Sequence, residues 1–517
     1  MPFFDHINVP YLIRREGLNP AKVGIRFEDR TRTYGELHER MLRIASALSK
    51  LGVRKGDRVA VVLQNCLEFW EINFGIQETG AIVVPLNSRL APMEIANLVR
   101  RSGAHVVVYD TDHVHHVEAA MKETDIGHRI HVGDNPSDGA IAYESLVGSG
   151  EARALDTVIG LDDPAEIIYT SGTTGVPKGA IWTHGTVLAN SIQQCMDYNL
   201  SSQDSAYVTL GMFYVGGRHD FTIPVFHQGG TVHVRRTGGF DARQVLDYIR
   251  THRITVILLV PTMLYDVHRL PEEFKRDLGI VRMIMCGGAP VQVPIIEKTM
   301  AVFPNAAFVQ VFGSTEAGAT VTQLTREDSI RKIGSAGKPT LHNLVYLVDD
   351  AGRPVSTGEV GEIAVKGPAV VKGYWENDEA TRLALGEGFL RTGDLGRIDD
   401  EGYLYIVGRK KDMIISGALN IYPEEIEDVL KRHPGIADVA VIGVPDDRWG
   451  ESVMAVVQPA VAGGLTPEDV IDQCRQHLAG YKKPRYVEFV EAFPRTQSGK
   501  IQKYALREIY RRSLSGS

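Results

Sequence analysis

A chain of 517 residues exceeds what one hydrophobic core can hold, so about two to four domains are expected. Apolar residues at 44% and charged residues at 23% exclude long disorder. A net charge of −8 excludes a general nucleic-acid binder, so any anionic ligand must be held by local cations. Cys66, Cys195, Cys286 and Cys474 lie far apart without zinc-site spacing and read as buried thiols in a reducing compartment. The start "MPFFDHINVPYLIRREG" has no basic segment followed by an apolar core, and no run is long enough to cross a bilayer, which predicts a cytoplasmic protein.

In chain order, the first helix is predicted at "TYGELHERMLRIASALSKLG". Thr33 and Glu36 have capping-box spacing there, and Leu37, Met41, Ile44, Leu48 and Leu51 form one apolar stripe. The runs "RVAVVL", "AIVVPLN" and "HVVVYD" alternate with helical segments, the rhythm of a parallel sheet covered by helices. Later, "ITVILLVPTML", "VRMIMCGGAP" and "AAFVQVFGSTEAG" each pass from an apolar strand into small residues, where open α/β sheets bind ligands. After about residue 340, short strands joined by Asp-Gly turns predict an antiparallel, barrel-like region. A small α+β domain of roughly a hundred residues closes the chain from near Arg409.

The stretch "YTSGTTGVPKGA" gathers glycines, hydroxyls and Lys178 behind an apolar run, a composition that suits polyphosphate. It is not the Walker pattern, because Lys178 follows Pro177 and precedes Gly179. Read alone, it is also an ordinary turn between a strand and a helix. In "FGSTEAG" an aromatic ring can stack on a purine, Gly313 lets a ligand approach the backbone, Thr315 can donate to phosphate and Glu316 can hold Mg²⁺. "RTGDLG" puts Asp394 in a tight turn where it can accept ribose hydroxyls, and Arg409 in "VGRKKD" adds a second contact. Taken singly, Asp394 is a turn former, Arg409 a solvated charge and Glu316 a residue favoured at a helix start.

With "GRKKDMIISGALNIYPEEIE" and "PRTQSGKIQK", these motifs in this order resemble the adenylate-forming superfamily of acyl-CoA synthetases, luciferases and nonribosomal-peptide adenylation domains, over essentially the whole chain. The resemblance implies an α/β fold: a large domain, residues 1–409, of parallel-rich sheets covered by helices plus the barrel-like region, and a small mobile α+β domain, residues 410–517, with a hinge near Lys411. It implies an ATP-dependent carboxylate:CoA ligase of the AMP-forming acyl-CoA synthetase type, needing Mg²⁺, in which pyrophosphate leaves in one half-reaction and a thiol displaces AMP in the next. By the same resemblance Lys500 is the adenylation lysine bridging substrate carboxylate and α-phosphate, Thr315 contacts that phosphate, and Glu316 holds the metal. Thr170, Ser171, Gly172, Thr173, Thr174, Gly175 and Lys178 hold the β and γ phosphates. Gly287, Gly288, Ala289 and Pro290 face Phe312 and Gly313 across adenine, and Asp394 and Arg409 hold ribose. Gly417 lines the pantetheine path, while Trp449, Tyr481 and Lys483 match positions that touch CoA.

One departure stands out: "GMFYVGG" places Tyr214 where the family often has a histidine that gates or orients the acyl group. Tyr214, Gly216 and Gly217 are therefore the expected acyl pocket, with Arg218 and His219 either beside it or structural. The two glycines would open space for a bulky ring or a long chain, and the expected substrate is a medium-chain fatty, cyclic or aromatic carboxylic acid. The competing reading is an acyl-AMP ligase loading a carrier-protein thiol, against which no carrier domain follows Lys500. The expected partners are a small carboxylic acid, ATP and CoA, with no nucleic acid and no transmembrane segment; the resemblance admits a homodimer.

Overall fold

The structure, a computed structural model, describes residues 7–170, 177–236, 238–289, 291–416, 419–446, 449–495 and 499–514. Thr33 caps the helix Tyr34–Lys50: its hydroxyl accepts the Glu36 N–H, and the Glu36 carboxylate accepts the Thr33 N–H. Leu37, Met41, Ile44 and Leu48 are fully buried, and Leu51 lies half-buried at the edge of the same core. This stripe packs on the helix Leu67–Glu78, which is buried along its whole length. Its acid Glu71 is held by Arg32 at 2.9 Å, Arg40 at 2.7 Å and the Tyr143 hydroxyl at 2.8 Å.

The chain groups into two units: the larger takes in Val176–Val345, Val365–Leu390 and nearly all that precedes them, the smaller Tyr346–Ala364 and Arg391–Ser517. The larger unit holds two sheets. The first runs Ile141–Ala142, His128–Val132, Val106–Asp110, Arg58–Val62, Ile82–Pro85, Pro164–Thr170, Lys178–Thr183. The second runs Lys338–Pro339, Thr322–Thr325, Ala307–Phe312, Met283–Gly287, Val256–Leu258, Ser205–Val208, Thr231–Val234, Val23–Phe27, Arg30–Thr33. Inner pairings are parallel, and antiparallel partners appear at the edges. Helices cover both faces, which is why the inner strands read as unbroken Val, Ile and Met rather than alternating.

The smaller unit carries most of a four-stranded sheet in the order Leu344–Val348, Val360–Lys366, Leu390–Ile398, Leu404–Arg409. It also carries a five-stranded sheet whose two long strands, Ile436–Asp446 and Gly450–Pro459, pair antiparallel. Ile414, Ile421, Ile426, Leu430 and Val441 form its core, and the charged tail folds as the helix Lys503–Leu514. All four cysteines are free thiols, three of them buried and Cys66 half-buried. Among the described residues no helix is long and apolar enough to cross a membrane.

A charged node lies inside the larger unit. Glu166, Arg218 and His219 are each 0% exposed. Arg218 donates from Nη2 to Glu166 Oε1 at 2.5 Å and to Asn73 at 2.6 Å, and His219 Nε2 lies 3.0 Å from Glu166 Oε2. Burial opposes ionisation of Glu166, but Arg218 and then His219 outweigh it and hold the carboxyl well below its ordinary value. Arg218 and His219 are therefore structural residues, the second of the two roles open to them from sequence. Arg218→Leu should cost about 3–5 kcal/mol in urea unfolding, because it strands a buried carboxylate. Since the folded pKa of Glu166 is depressed below the ordinary 4.5, the wild-type contribution should be complete above that pH and fade as pH falls through and below it. An unchanged urea midpoint in the variant would refute this account.

Candidate active site

The strands Pro164–Thr170 and Lys178–Thr183 pair antiparallel with Thr170 opposite Lys178. The glycine- and threonine-rich stretch thus joins two strands of a hairpin, not a strand to a helix. Ser171, Gly172, Thr173, Thr174 and Gly175 lie outside the described residues, as do Pro290 and Gly417. At the hairpin base, Thr170 Oγ1 donates to Glu316 Oε1 at 3.2 Å, and the Tyr374 hydroxyl donates to the same oxygen at 3.3 Å. The Lys178 ammonium stands 5.1 Å from the centre of the Tyr374 ring. Burial first and then Glu316 push the Tyr374 phenol up, so it stays a donor at neutral pH.

Glu316 sits in a turn after the strand Ala307–Phe312, not at a helix start. Its neighbour Thr315 is anchored through its carbonyl, which accepts the Trp182 indole N–H at 3.1 Å. Neither Trp182 nor Tyr374 stood out in the sequence. Tyr374 arrives because its segment lies along Lys178–Thr183, with Trp375 N–H donating to Gly179 O at 2.8 Å and Ile181 N–H to Gly373 O at 2.9 Å. One tyrosine among 19 carries no local mark of such a pairing.

Met283–Gly287 and Ala307–Phe312 are adjacent parallel strands with Gly287 opposite Val311. Gly287, Gly288 and Ala289 therefore leave the sheet at the same edge as Phe312 and Gly313, as two facing walls would require. Gly288 has φ +90° with open space where a side chain would begin. Gly313 is demanded by the chain itself, since a Cβ there would lie 1.6 Å from the Ala319 carbonyl oxygen. That close approach is the loop folding on itself, a different reason from access for a ligand.

Tyr214 accepts from Asn87 Nδ2 at 3.1 Å, and burial pushes its phenol up. Gly216 and Gly217 line one cavity with Leu210, Asp220 and Leu258. Gly217 is fixed by packing, because a Cβ would come 2.3 Å from the Gly211 carbonyl oxygen, whereas at Gly216 the nearest atom is Leu210 Cδ1 at 3.1 Å.

Within the smaller unit, Asp394 lies in the strand Leu390–Ile398 rather than in a tight turn. It stands opposite Arg409 in register, and Arg409 Nε meets its Oδ1 at 2.6 Å. The side chain of Asp394 is 7% exposed and that of Arg409 41%, so the pair presents its cation outward. Lys500 is exposed, but its ammonium lies in a more enclosed setting and is drawn below its ordinary value, by burial first, then by the like charge of Arg409, against the pull of Asp394. The fold thus brings Lys500 into one field with the two ribose candidates. Lys411 sits in the single turn Lys410–Asp412, immediately after Arg409 and the end of its strand. Trp449, Tyr481 and Lys483 are exposed.

A family model described as AMP-binding enzyme matches residues 14–375, and one described as AMP-binding enzyme C-terminal domain matches residues 425–500. A feruloyl-CoA synthase of Amycolatopsis is 38% identical over 96% of this chain and 98% of its own length. An indoleacetate–CoA ligase of Aromatoleum aromaticum is 38% identical over 97% and 98%. Among solved structures, the o-succinylbenzoate coenzyme A synthetase of Bacillus subtilis with ATP and magnesium ion superposes with a TM-score of 0.85 at 30% identity, covering 96% of this chain and 99% of that one.

Tyr374→Phe should raise the KM for ATP about three- to tenfold at near-constant kcat, by removing one hydrogen bond to a charged carboxylate. Steady-state kinetics at saturating second substrates provide the check, and an unchanged KM would show that Tyr374 does not orient Glu316.

Proposed function

We propose that this chain, which belongs to the AMP-binding enzyme family and is an AMP-forming acyl-CoA synthetase, activates an aromatic, cyclic or medium-chain fatty carboxylic acid. The observation that carries the site assignment is the half-buried Glu316 carboxylate, gripped by two hydroxyls beside the Lys178 ammonium. Relatives named for ferulate and indoleacetate favour the aromatic acids within that range.

A carboxylate resists nucleophiles because of its charge and its poor leaving group, and transfer to AMP removes both obstacles. Lys178 and the loop N–H groups receive the β and γ phosphates, and Thr315 receives the α-phosphate. Phe312 and the Gly287 to Pro290 wall enclose adenine, and Asp394 with Arg409 receives the ribose hydroxyls. Lys500 meets the attacking carboxylate oxygen and the α-phosphate, where negative charge gathers in the transition state. Among the described residues no group of three metal-ligating side chains is present. A single carboxylate, Glu316, suits Mg²⁺, which takes most of its ligands from phosphate and water; the ion would neutralise charge on the leaving pyrophosphate.

The thiol half-reaction then follows on CoA in the cytoplasm. Residues 410–517 turn about Lys411 as a domain distinct from residues 1–409, withdrawing Lys500 and bringing Gly417 to the pantetheine path, with Trp449, Tyr481 and Lys483 at the nucleotide of CoA.

Lys500→Ala should reduce carboxylate-dependent pyrophosphate exchange at least ~100-fold while leaving CoA attack on presynthesised acyl-AMP within about fivefold of wild type. Equal loss in both assays would overturn the role of Lys500. Turnover with a carrier-protein thiol but not with CoA would overturn the choice of acceptor.

A further inference from the structure

The cavity beside Gly216 contains one carboxyl group, that of Asp220. Of its hydroxyl-bearing walls, Thr209 Oγ1 donates to the Leu258 carbonyl at 2.6 Å and Thr222 Oγ1 to the Gly217 carbonyl at 2.9 Å, while Tyr207 brings a buried hydroxyl without a hydrogen-bond partner among the described residues. The cavity measures about 10 Å³, room for one water-sized group and not for an alkyl chain.

Asp220 is held as a positioned group. Gln194 Oε1 accepts the Phe221 N–H at 3.1 Å, which fixes the amide so that its Nε2 donates to Asp220 Oδ1 at 3.0 Å. Thr320 Oγ1 donates to the same Oδ1 at 3.3 Å. Phe221 has φ +62°, a strained value for a non-glycine residue that the Gln194 contact helps to hold. Oδ2 points the other way, toward Gly216, where a Cβ would stand 3.6 Å from it. The usual structural uses of a half-buried aspartate fail here: the following helix, Thr222–Gln228, has no side-chain cap, and among the described residues no cation lies within ion-pair distance of Asp220. Thr320 lies on the loop that carries Thr315 and Glu316, so this carboxyl is tied to the adenylating side of the site.

The geometry points to Asp220 as a specificity-determining residue of the acyl site, whose Oδ2 pairs with a neutral oxygen, hydroxyl or carbonyl, borne by the substrate away from its reacting carboxylate. This inference rests on the acyl-CoA synthetase reading and on Tyr214, Gly216 and Gly217 lining the acyl pocket. Burial pushes the Asp220 carboxyl up to about 7, against the hydrogen bonds from Gln194 and Thr320. Below that pH the group donates, and above it can only accept. The other titratable groups around it are engaged or shifted by burial: Arg218 and His219 are paired with Glu166, burial pulls His219 down against the pull of Glu166, and burial pushes the Tyr198 and Tyr207 phenols up.

The test measures AMP release with CoA for matched pairs: cinnamate and 4-hydroxycinnamate, hexanoate and 6-hydroxyhexanoate, cyclohexanecarboxylate and its 4-oxo analogue. At pH 6.5 the wild type should prefer the oxygenated member of at least one pair about tenfold or more in kcat/KM. Asp220→Leu should erase that preference by losing the oxygenated member alone, and Asp220→Asn should retain it. With the oxo acid, which only accepts, the wild-type KM should rise above pH 7 while that of Asp220→Asn stays flat, a readout that does not depend on the leucine variant folding. Equal turnover of both members of every pair by the wild type, equal loss of both members in Asp220→Leu, or the same pH profile in wild type and Asp220→Asn would overturn the inference while leaving the ligase reading intact. Absence of AMP release with every acid would instead strike the ligase reading.

Discussion

Taking a carboxylate and a guanidinium out of water together costs several kcal/mol per ion, and their attraction repays it only when the geometry is good and the remaining donors and acceptors are matched. Glu166 and Arg218 meet that condition through Asn73 and His219. The pair joins three pieces of chain far apart in sequence: the strand Pro164–Thr170 that leads into the hairpin, the fully buried helix Leu67–Glu78, and the short helix Val215–His219 behind Tyr214. His219 stacks on Trp182 with ring centres 4.1 Å apart and planes 12° from parallel, and Trp182 in turn holds the Thr315 carbonyl. Glu166 is thus linked by three successive contacts, through His219 and Trp182, to the loop that bears Glu316.

The same logic brings Thr170, Glu316 and Tyr374 together. Thr170 is set by strand pairing, Glu316 by a turn folded tightly on Gly313, and Tyr374 by a segment laid against the hairpin. Three separate backbones converge on one carboxylate oxygen, so its direction is fixed before any ligand enters, the arrangement that makes electrostatic stabilisation effective. In the smaller unit, cross-strand register does the equivalent work for Asp394 and Arg409.

The acyl side differs in kind. There the glycines serve different ends: Gly217 permits contact with the Gly211 carbonyl, and Gly216 leaves Asp220 Oδ2 open. Spacing alone makes the two look interchangeable, and only the direction of each missing side chain separates them. Nothing local marks Asp220 in the sequence, where it simply follows Arg218 and His219. In the fold, those two neighbours turn toward Glu166 and leave Asp220 with neutral donors.

The sequence by itself determined the α/β class, the capped first helix and its buried stripe, and the change to antiparallel strands after residue 340. Those signals are local: capping and periodicity act over a few residues, and the motifs are short runs whose chemistry is written in their composition. Tertiary structure alone decided that Asp394 lies in a strand facing Arg409, that Trp182 and Tyr374 meet Thr315 and Glu316, and that Arg218 and His219 are buried against Glu166. Each of these depends on pairings between positions tens to hundreds of residues apart, set by sheet register and by the need to neutralise buried charge, and neither is visible in any short window of sequence.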